Sequence, residues 1–150
     1  MQKGKITQII GPVVDVYFAG ENLPAIRNAL KVSVPSSGNA PADAKALAGK
    51  SDGENDRTII LEVAQHVGLG RVRAIALQDT SGLARGAEVT DTGGQVSVPV
   101  GEKVLGRLFN VIGETIDGKE ALSKDIPRLS IHREAPQFKD QRTKAEVFET

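Results

Sequence analysis

Between Lys3 and about residue 92 the chain breaks into short runs of β-branched and apolar residues, cut by glycine-rich turn clusters at roughly ten-residue spacing. That rhythm leaves no room for long helices and suits short antiparallel strands. Ile6, Ile10, Val14, Val16 and Phe18 lie at extended-chain intervals, so Lys3 to Phe18 reads as extended structure. Gly11-Pro12 lies inside it. Proline lacks a backbone donor and glycine accepts unusual dihedrals, so the dipeptide predicts a bend, a bulge or an edge position. After the turn-like Ala19-Gly-Glu-Asn22 and a short Leu23-Pro24 segment, Leu30-Lys-Val-Ser-Val34 predicts another strand. Thr58 to Val67 alternates, with Ile59, Leu61, Val63 and Val67 on one face and Glu62, Ala64 and His66 on the other, the pattern of a half-buried strand. Gly68-Leu-Gly70 predicts a hairpin whose glycine supplies the φ > 0 such turns need, with a return strand from Arg71 to Gln78. Ser81-Gly-Leu-Ala-Arg-Gly86 and Asp91-Thr-Gly-Gly94 predict turns on either side of a short strand, Ala87-Glu-Val-Thr90. A closed or nearly closed antiparallel barrel fits best, because closure removes exposed sheet edges.

Residues 35–57 are small and polar and hold almost no large apolar side chain, so burial cannot offset their ordering entropy. They read as a surface insertion joining two strands of one sheet. Within it Ala44-x-x-x-x-Gly49-Lys50-Ser51 matches a relaxed phosphate-loop pattern, but no apolar strand precedes it and no amphipathic helix follows, so a loop is expected.

Gln95-Val-Ser-Val-Pro-Val100 alternates again and places Val96, Val98 and Val100 together. From Val104 the character changes. Val104, Leu105, Leu108, Phe109, Val111 and Ile112 recur at helical intervals, predicting a short helix interrupted by Gly106 and then a turn from Gly113 to Gly118. Gly101-x-x-x-x-Gly106 opens like a phosphate loop, which requires Lys and then Ser or Thr; Arg107 and Leu108 stand there instead. Lys119 to Phe138 has no clear period. Thr143-x-x-Glu146 before Val147-Phe148 is a capping-box signature, and the helix it announces has no room before Thr150, which predicts a fragment of a longer chain.

Nineteen basic residues balance nineteen acidic ones among the 150. A neutral chain is a poor duplex binder, since such affinity comes largely from neutralising phosphates. Four Phe, one Tyr and no Trp make a stacking platform for single strands equally unexpected. The absence of cysteine removes disulfides, thiolate metal sites and thiol nucleophiles. Neither a signal peptide nor a membrane-length apolar run is present, so any membrane link is expected to go through a partner.

His66 and His132 share no metal-ligand spacing with each other or with a carboxylate. Glu114 and Asp117 could form an acid–base pair, but they flank a glycine-bounded turn, where acidic residues serve local hydrogen bonding. Arg71, Arg73, Arg85 and Arg107 fall on separate elements, which favours a solvated face or subunit salt bridges over an anion pocket. The residues therefore nominate no catalytic, cofactor-binding or metal site.

Several segments in order resemble the F-type ATP synthase β-subunit family in its N-terminal part. They are Gly4-Lys-Ile-Thr-Gln-Ile-Ile-Gly-Pro-Val-Val-Asp-Val16, Leu61-Glu-Val-Ala-Gln-His66, Val72-Arg-Ala-Ile-Ala76, Gly82-Leu-Ala-Arg-Gly86, Val98-Pro-Val-Gly101, Leu105-Gly-Arg-Leu-Phe-Asn-Val-Ile-Gly-Glu114 and Ile131-His-Arg-Glu-Ala-Pro136. The last points to β over the related α subunit, and the insertion from Pro35 to Arg57 is longer than the family pattern. The resemblance implies an all-β six-stranded closed barrel over residues 1–92. Residues 93–150 would then be the incomplete start of an α/β nucleotide-binding domain, ending before the phosphate loop. It further implies a parent that makes ATP from ADP and phosphate using a transmembrane proton or sodium gradient. ATP, ADP and Mg2+ would be bound by that parent and not by this segment, which alone would not catalyse. The implied partners are α subunits of the F1 ring, reached through the barrel, and indirectly γ and the membrane F0 sector. No nucleic acid and no direct membrane insertion is expected. The implied location is peripheral, on the cytoplasmic side of the bacterial inner membrane. Apolar groups such as Leu105, Phe109 and Phe148 are expected to be poorly covered in the segment alone. Two rivals remain at this point: a stand-alone small-barrel module binding oligonucleotide or peptide, and a small nucleotide enzyme using Ala44 to Ser51.

Overall fold

The computed structural model describes residues 2–20, 22–34, 57–120, 122–123 and 125–140. The chain divides into two compact units, Met1–Val96 and Ser97–Thr150.

The first unit is the barrel. Its strands are β1 (Lys3–Ile10), β2 (Val13–Phe18), β3 (Asn28–Val34), β4 (Arg57–Gly68), β5 (Arg71–Ala76) and β6 (Glu88–Gln95). They close antiparallel in the order β1-β2-β5-β4-β3-β6, as the alternating short strands predict. Closure pairs Lys3 with Thr90, Gly4 with Val89 and Lys5 with Glu88, so the first and last strands leave no open edge between them. Val34 pairs with Arg57, so the insertion does join two neighbouring strands; residues 35–56, with Ala44 to Ser51, lie outside the described residues, as do Thr143, Glu146 and Phe148.

Register partners define the core. Phe18, Gly4, Val89, Val32 and Ile59 form one inward row across five strands, while Ile6, Val16 and Val72 form another. These side chains, with Val14, Leu30, Leu61, Val63 and Ala74, make one buried apolar cluster. The glycine in the first row has a packing reason. A Cβ on Gly4 would lie 2.9 Å from the Phe18 ring and 2.8 Å from the Tyr17 carbonyl oxygen, so the missing side chain is the space Phe18 fills.

Bulges correct the simple alternation in three strands. In β1, Ile6 pairs with Val16 but Gln8 with Asp15, which leaves Thr7 as the extra residue; Gly11-Pro12 is the hairpin turn itself, with Gly11 at φ 55°. In β4, Val63 faces Ala74 while Gln65 faces Arg73, and His66 faces Val72 while Gly68 faces Arg71. Ala64 and Val67 are the extra residues. Each bulge shifts the side-chain parity, so Val67 is exposed and not on the inner face, while His66, the register partner of Val72, is exposed as expected. In β6, Asn28 pairs with Gln95 and Leu30 with Asp91, so Asp91-Thr-Gly-Gly94 is a bulge within a continuing strand and not a turn. Asp91 Oδ1 holds it by accepting from Asn28 Nδ2 and from the backbone N–H of Gly93.

In the second unit β7 (Ser97–Pro99) pairs with β8 (Arg128–Ser130). Pro99 is buried, with Val98 and Val100 half-buried. The helix expected over Val104 to Ile112 does not form. A 3-10 turn spans Glu102–Val104, and the apolar residues beyond it belong to a hairpin.

Candidate functional site

Gly101 to Gly118 is two linked turns. Gly101 and Gly106 have φ of 110° and 66°, conformations open to glycine and costly to other residues. Between them the N–H groups of Val104, Leu105 and Arg107 donate to the carbonyls of Gly101, Glu102 and Val104. A phosphate loop needs such donors converging on a ligand; here they are used within the turn. The hairpin follows. Phe109 bridges to Thr115, the Ile116 N–H donates to the Leu108 carbonyl, and the Asn110 N–H to that of Glu114. Asn110 organises the loop, its Oδ1 accepting from the N–H groups of Ile112 and Glu114 and its Nδ2 donating to Glu114 Oε2 at 2.8 Å.

At the open end of the hairpin Arg107 grips Asp117 bidentately, Nε to Oδ2 at 2.5 Å and a terminal nitrogen to Oδ1 at 3.1 Å, and donates to the Glu120 carbonyl at 2.8 Å. The guanidinium hydrogen bond holds the Asp117 carboxyl far below the ordinary carboxylate range. Glu114 and Asp117 thus serve the turn, as their position predicts, and each is occupied by its own partner. A cleft of about 380 Å³ beside the hairpin is lined mostly by apolar groups, among them Val98, Pro99, Leu105 and Phe109.

The two histidines stay apart in their roles. His66 Nε2 hydrogen-bonds the Pro24 carbonyl at 2.8 Å, fastening the β2–β3 connection to β4, whereas the His132 N–H donates to Ser130 Oγ. No group of three metal-ligating side chains occurs among the described residues. Arg85 borders a shallow groove with Thr7, Gln8 and Ile9.

The barrel's main polar fixture was not read from the sequence. Asp15 on β2 and Arg73 on β5 are register partners. Arg73 Nε donates to Oδ1 at 2.8 Å and its terminal nitrogen to Oδ2 at 3.0 Å, and the Asp15 side chain is only 8% exposed. A period of two places both residues outward but says nothing of which strand faces which. The Arg73 hydrogen bond, opposed by burial and assisted by the charges of Arg73 and Arg71, lowers the Asp15 pKa. A depressed folded value contributes stability that is complete above the unfolded value of about 3.9 and is lost as pH falls through the folded one. Asp15→Asn is therefore expected to lower the urea midpoint at neutral pH and to flatten its acid limb. An acid limb as steep as that of the wild type would show that other carboxylates dominate.

A family model described as the ATP synthase alpha/beta family, beta-barrel domain, matches residues 6–93. The chain belongs to that family. The match starts within β1, spans β2 to β5 and ends in the β6 bulge, so it takes in every strand of the closed barrel. Membership of the ATP synthase alpha/beta family brings with it an oligomeric F1 assembly. A closed barrel has no free strand edge to lend to a neighbour. Any contact the barrel makes with a neighbour must therefore use outward side chains or hairpin tips.

Proposed function

We propose that this chain is the N-terminal part of the β subunit of an F-type ATP synthase, whose complex makes ATP from ADP and phosphate using a transmembrane proton or sodium gradient. The observation that carries the reading is the barrel-domain match over residues 6–93; Ile131-His-Arg-Glu-Ala-Pro136 favours β over α. The barrel contributes assembly, meeting α subunits in the F1 ring and through them γ and the F0 sector. Through that complex the chain lies peripherally on the cytoplasmic face of a bacterial inner membrane. ATP, ADP and Mg2+ bind to other parts of that parent.

The test is binding and turnover. A polypeptide of these 150 residues is expected to show neither ATP hydrolysis nor measurable nucleotide affinity by calorimetry, while the full-length subunit joins purified α subunits in a ring. Micromolar ATP binding by the 150 residues, abolished by Lys50→Ala, would overturn the assignment of their role.

A further inference from the structure

Just past the hairpin of the second unit the chain carries a dipeptide with a covalent chemistry of its own. Asp-Gly occurs at Asp52-Gly53 and at Asp117-Gly118, and the second of these lies among the described residues. In such a pair the glycine nitrogen can close on the aspartate side chain, because no Cβ obstructs its approach. The local geometry calls for both residues. Gly118 has φ 68°, a left-handed conformation costly to residues with a Cβ. Asp117 Oδ1 accepts from the Lys119 N–H at 3.1 Å, across the glycine, and from a terminal nitrogen of Arg107 at 3.1 Å, while Oδ2 accepts from Arg107 Nε at 2.5 Å. The fold thus keeps together a pair that is chemically apt to rearrange.

Rearrangement begins when the Gly118 nitrogen bonds to Asp117 Cγ. A carboxyl oxygen leaves as water, carrying the carboxyl proton and the amide proton, and a cyclic succinimide remains. Water then breaks the bond between that nitrogen and the Asp117 backbone carbonyl carbon. The main chain now runs through Cγ, the free carboxylate stands on Cα, and the net composition is unchanged. Ring closure needs the protonated carboxyl, since a carboxylate is a poor electrophile without a neutral leaving group. Arg107 blocks that entry. Its guanidinium engages both carboxylate oxygens, and with side chains only 14% and 7% exposed little water competes for the pair. The same hydrogen bonding favours the ionised carboxyl.

We propose that Asp117-Gly118 is a latent isoaspartate modification site and that Arg107 is its guard. Opening of the ion pair frees the carboxyl for protonation and ring closure. Isomerisation then moves the carboxylate out of the guanidinium fork, so the hairpin loses the clamp at its open end and refolding does not restore it. The site lies wholly within the second unit and is independent of which subunit the chain forms.

The experiment incubates the full-length protein at about pH 5, where an ordinary aspartate keeps a protonated fraction. Isoaspartate at position 117 is followed by peptide mapping and by labelling with an isoaspartyl methyltransferase, and a synthetic peptide of residues 114–120 gives the unguarded rate. The wild type is expected to isomerise at least about tenfold more slowly than the peptide, and Arg107→Gln about tenfold faster than the wild type, the effect of losing a charge-assisted hydrogen bond. Arg107→Lys, which keeps the cation without the fork, is expected to fall between them. Asn110→Ala loosens the hairpin at its tip and leaves the ion pair in place, so it is expected to match the wild type. Hydrogen exchange at the Ile116 amide measures how far each variant opens the hairpin. A wild-type rate equal to that of the peptide, or an unchanged rate in Arg107→Gln, overturns the proposal. Isomerisation in Asn110→Ala as fast as in Arg107→Gln assigns the protection to hairpin rigidity and overturns the role of Arg107.

Discussion

Phe18→Ala is expected to destabilise the barrel by about 3–5 kcal/mol, a large share of the 5–15 kcal/mol that ordinary domains possess. Phe18 is 2% exposed and its ring occupies the space left by Gly4. Truncation removes apolar area from the core, and the closed sheet around it has little freedom to collapse into the void. The pairing with Gly4 supplies a second arm. Gly4→Ala in the wild type drives a methyl group into the ring and the Tyr17 carbonyl oxygen, and is expected to cost about 1–3 kcal/mol. In the Phe18→Ala background the same methyl enters an empty space, so its cost is expected to vanish or reverse. Urea denaturation of the four proteins gives the coupling energy, expected at about 1–3 kcal/mol. Strictly additive effects would mean that the two residues do not share a site.

The next largest effect is expected from Gly113→Ala in the hairpin of the second unit. Gly113 has φ 75°, and a Cβ on it would lie 2.6 Å from Pro99 Cδ and 3.1 Å from the Val98 Cα. Those neighbours are a proline ring and backbone, neither of which can swing aside. A left-handed alanine and the overlap together are expected to cost about 2–5 kcal/mol. The readout is hydrogen exchange at the Asn110 and Ile116 amides, which donate across the hairpin to Glu114 and Leu108 and should lose protection. Gly106→Ala is the matched control: φ is 66° but open space surrounds the added methyl, so only the backbone cost of about 1–2 kcal/mol is expected. Equal effects of the two substitutions would remove the packing argument.

The barrel was legible because its signals are local. Alternation with a period of two, β-branched residues and glycine turns all act within a few positions, and they mark Leu30 to Val34, Thr58 to Val63 and the Gly68-Leu-Gly70 hairpin without knowledge of any partner strand. The family resemblance supplied the strand number and the assembly. The helix expected over Val104 to Ile112 failed for a reason visible in the hairpin. Its tight turn is preceded by Leu108 and Phe109, contains Val111 and Ile112, and leads back to Ile116, so apolar residues recur at three- and four-residue intervals without a helix. Asn110 was the available signal: a side chain able to cap the N–H groups of Ile112 and Glu114 favours a turn over a helix interior.

The sequence by itself determined an all-β barrel, the place of most of its turns, and the unsuitability of Gly101 to Leu108 as a phosphate loop, because each depends on residue types at fixed short spacing. Tertiary structure decided the rest. The bulges at Thr7, Ala64 and Val67, which leave Val67 exposed and off the inner face expected for it, arise from matching the pleat of neighbouring strands around a closed ring. The same ring fixes which outward residues meet. It brings Asp15 to Arg73 and sets Tyr17 between Lys5 and Arg71. Pairing of residues distant in sequence is a property of closure and shear, and no local pattern encodes it.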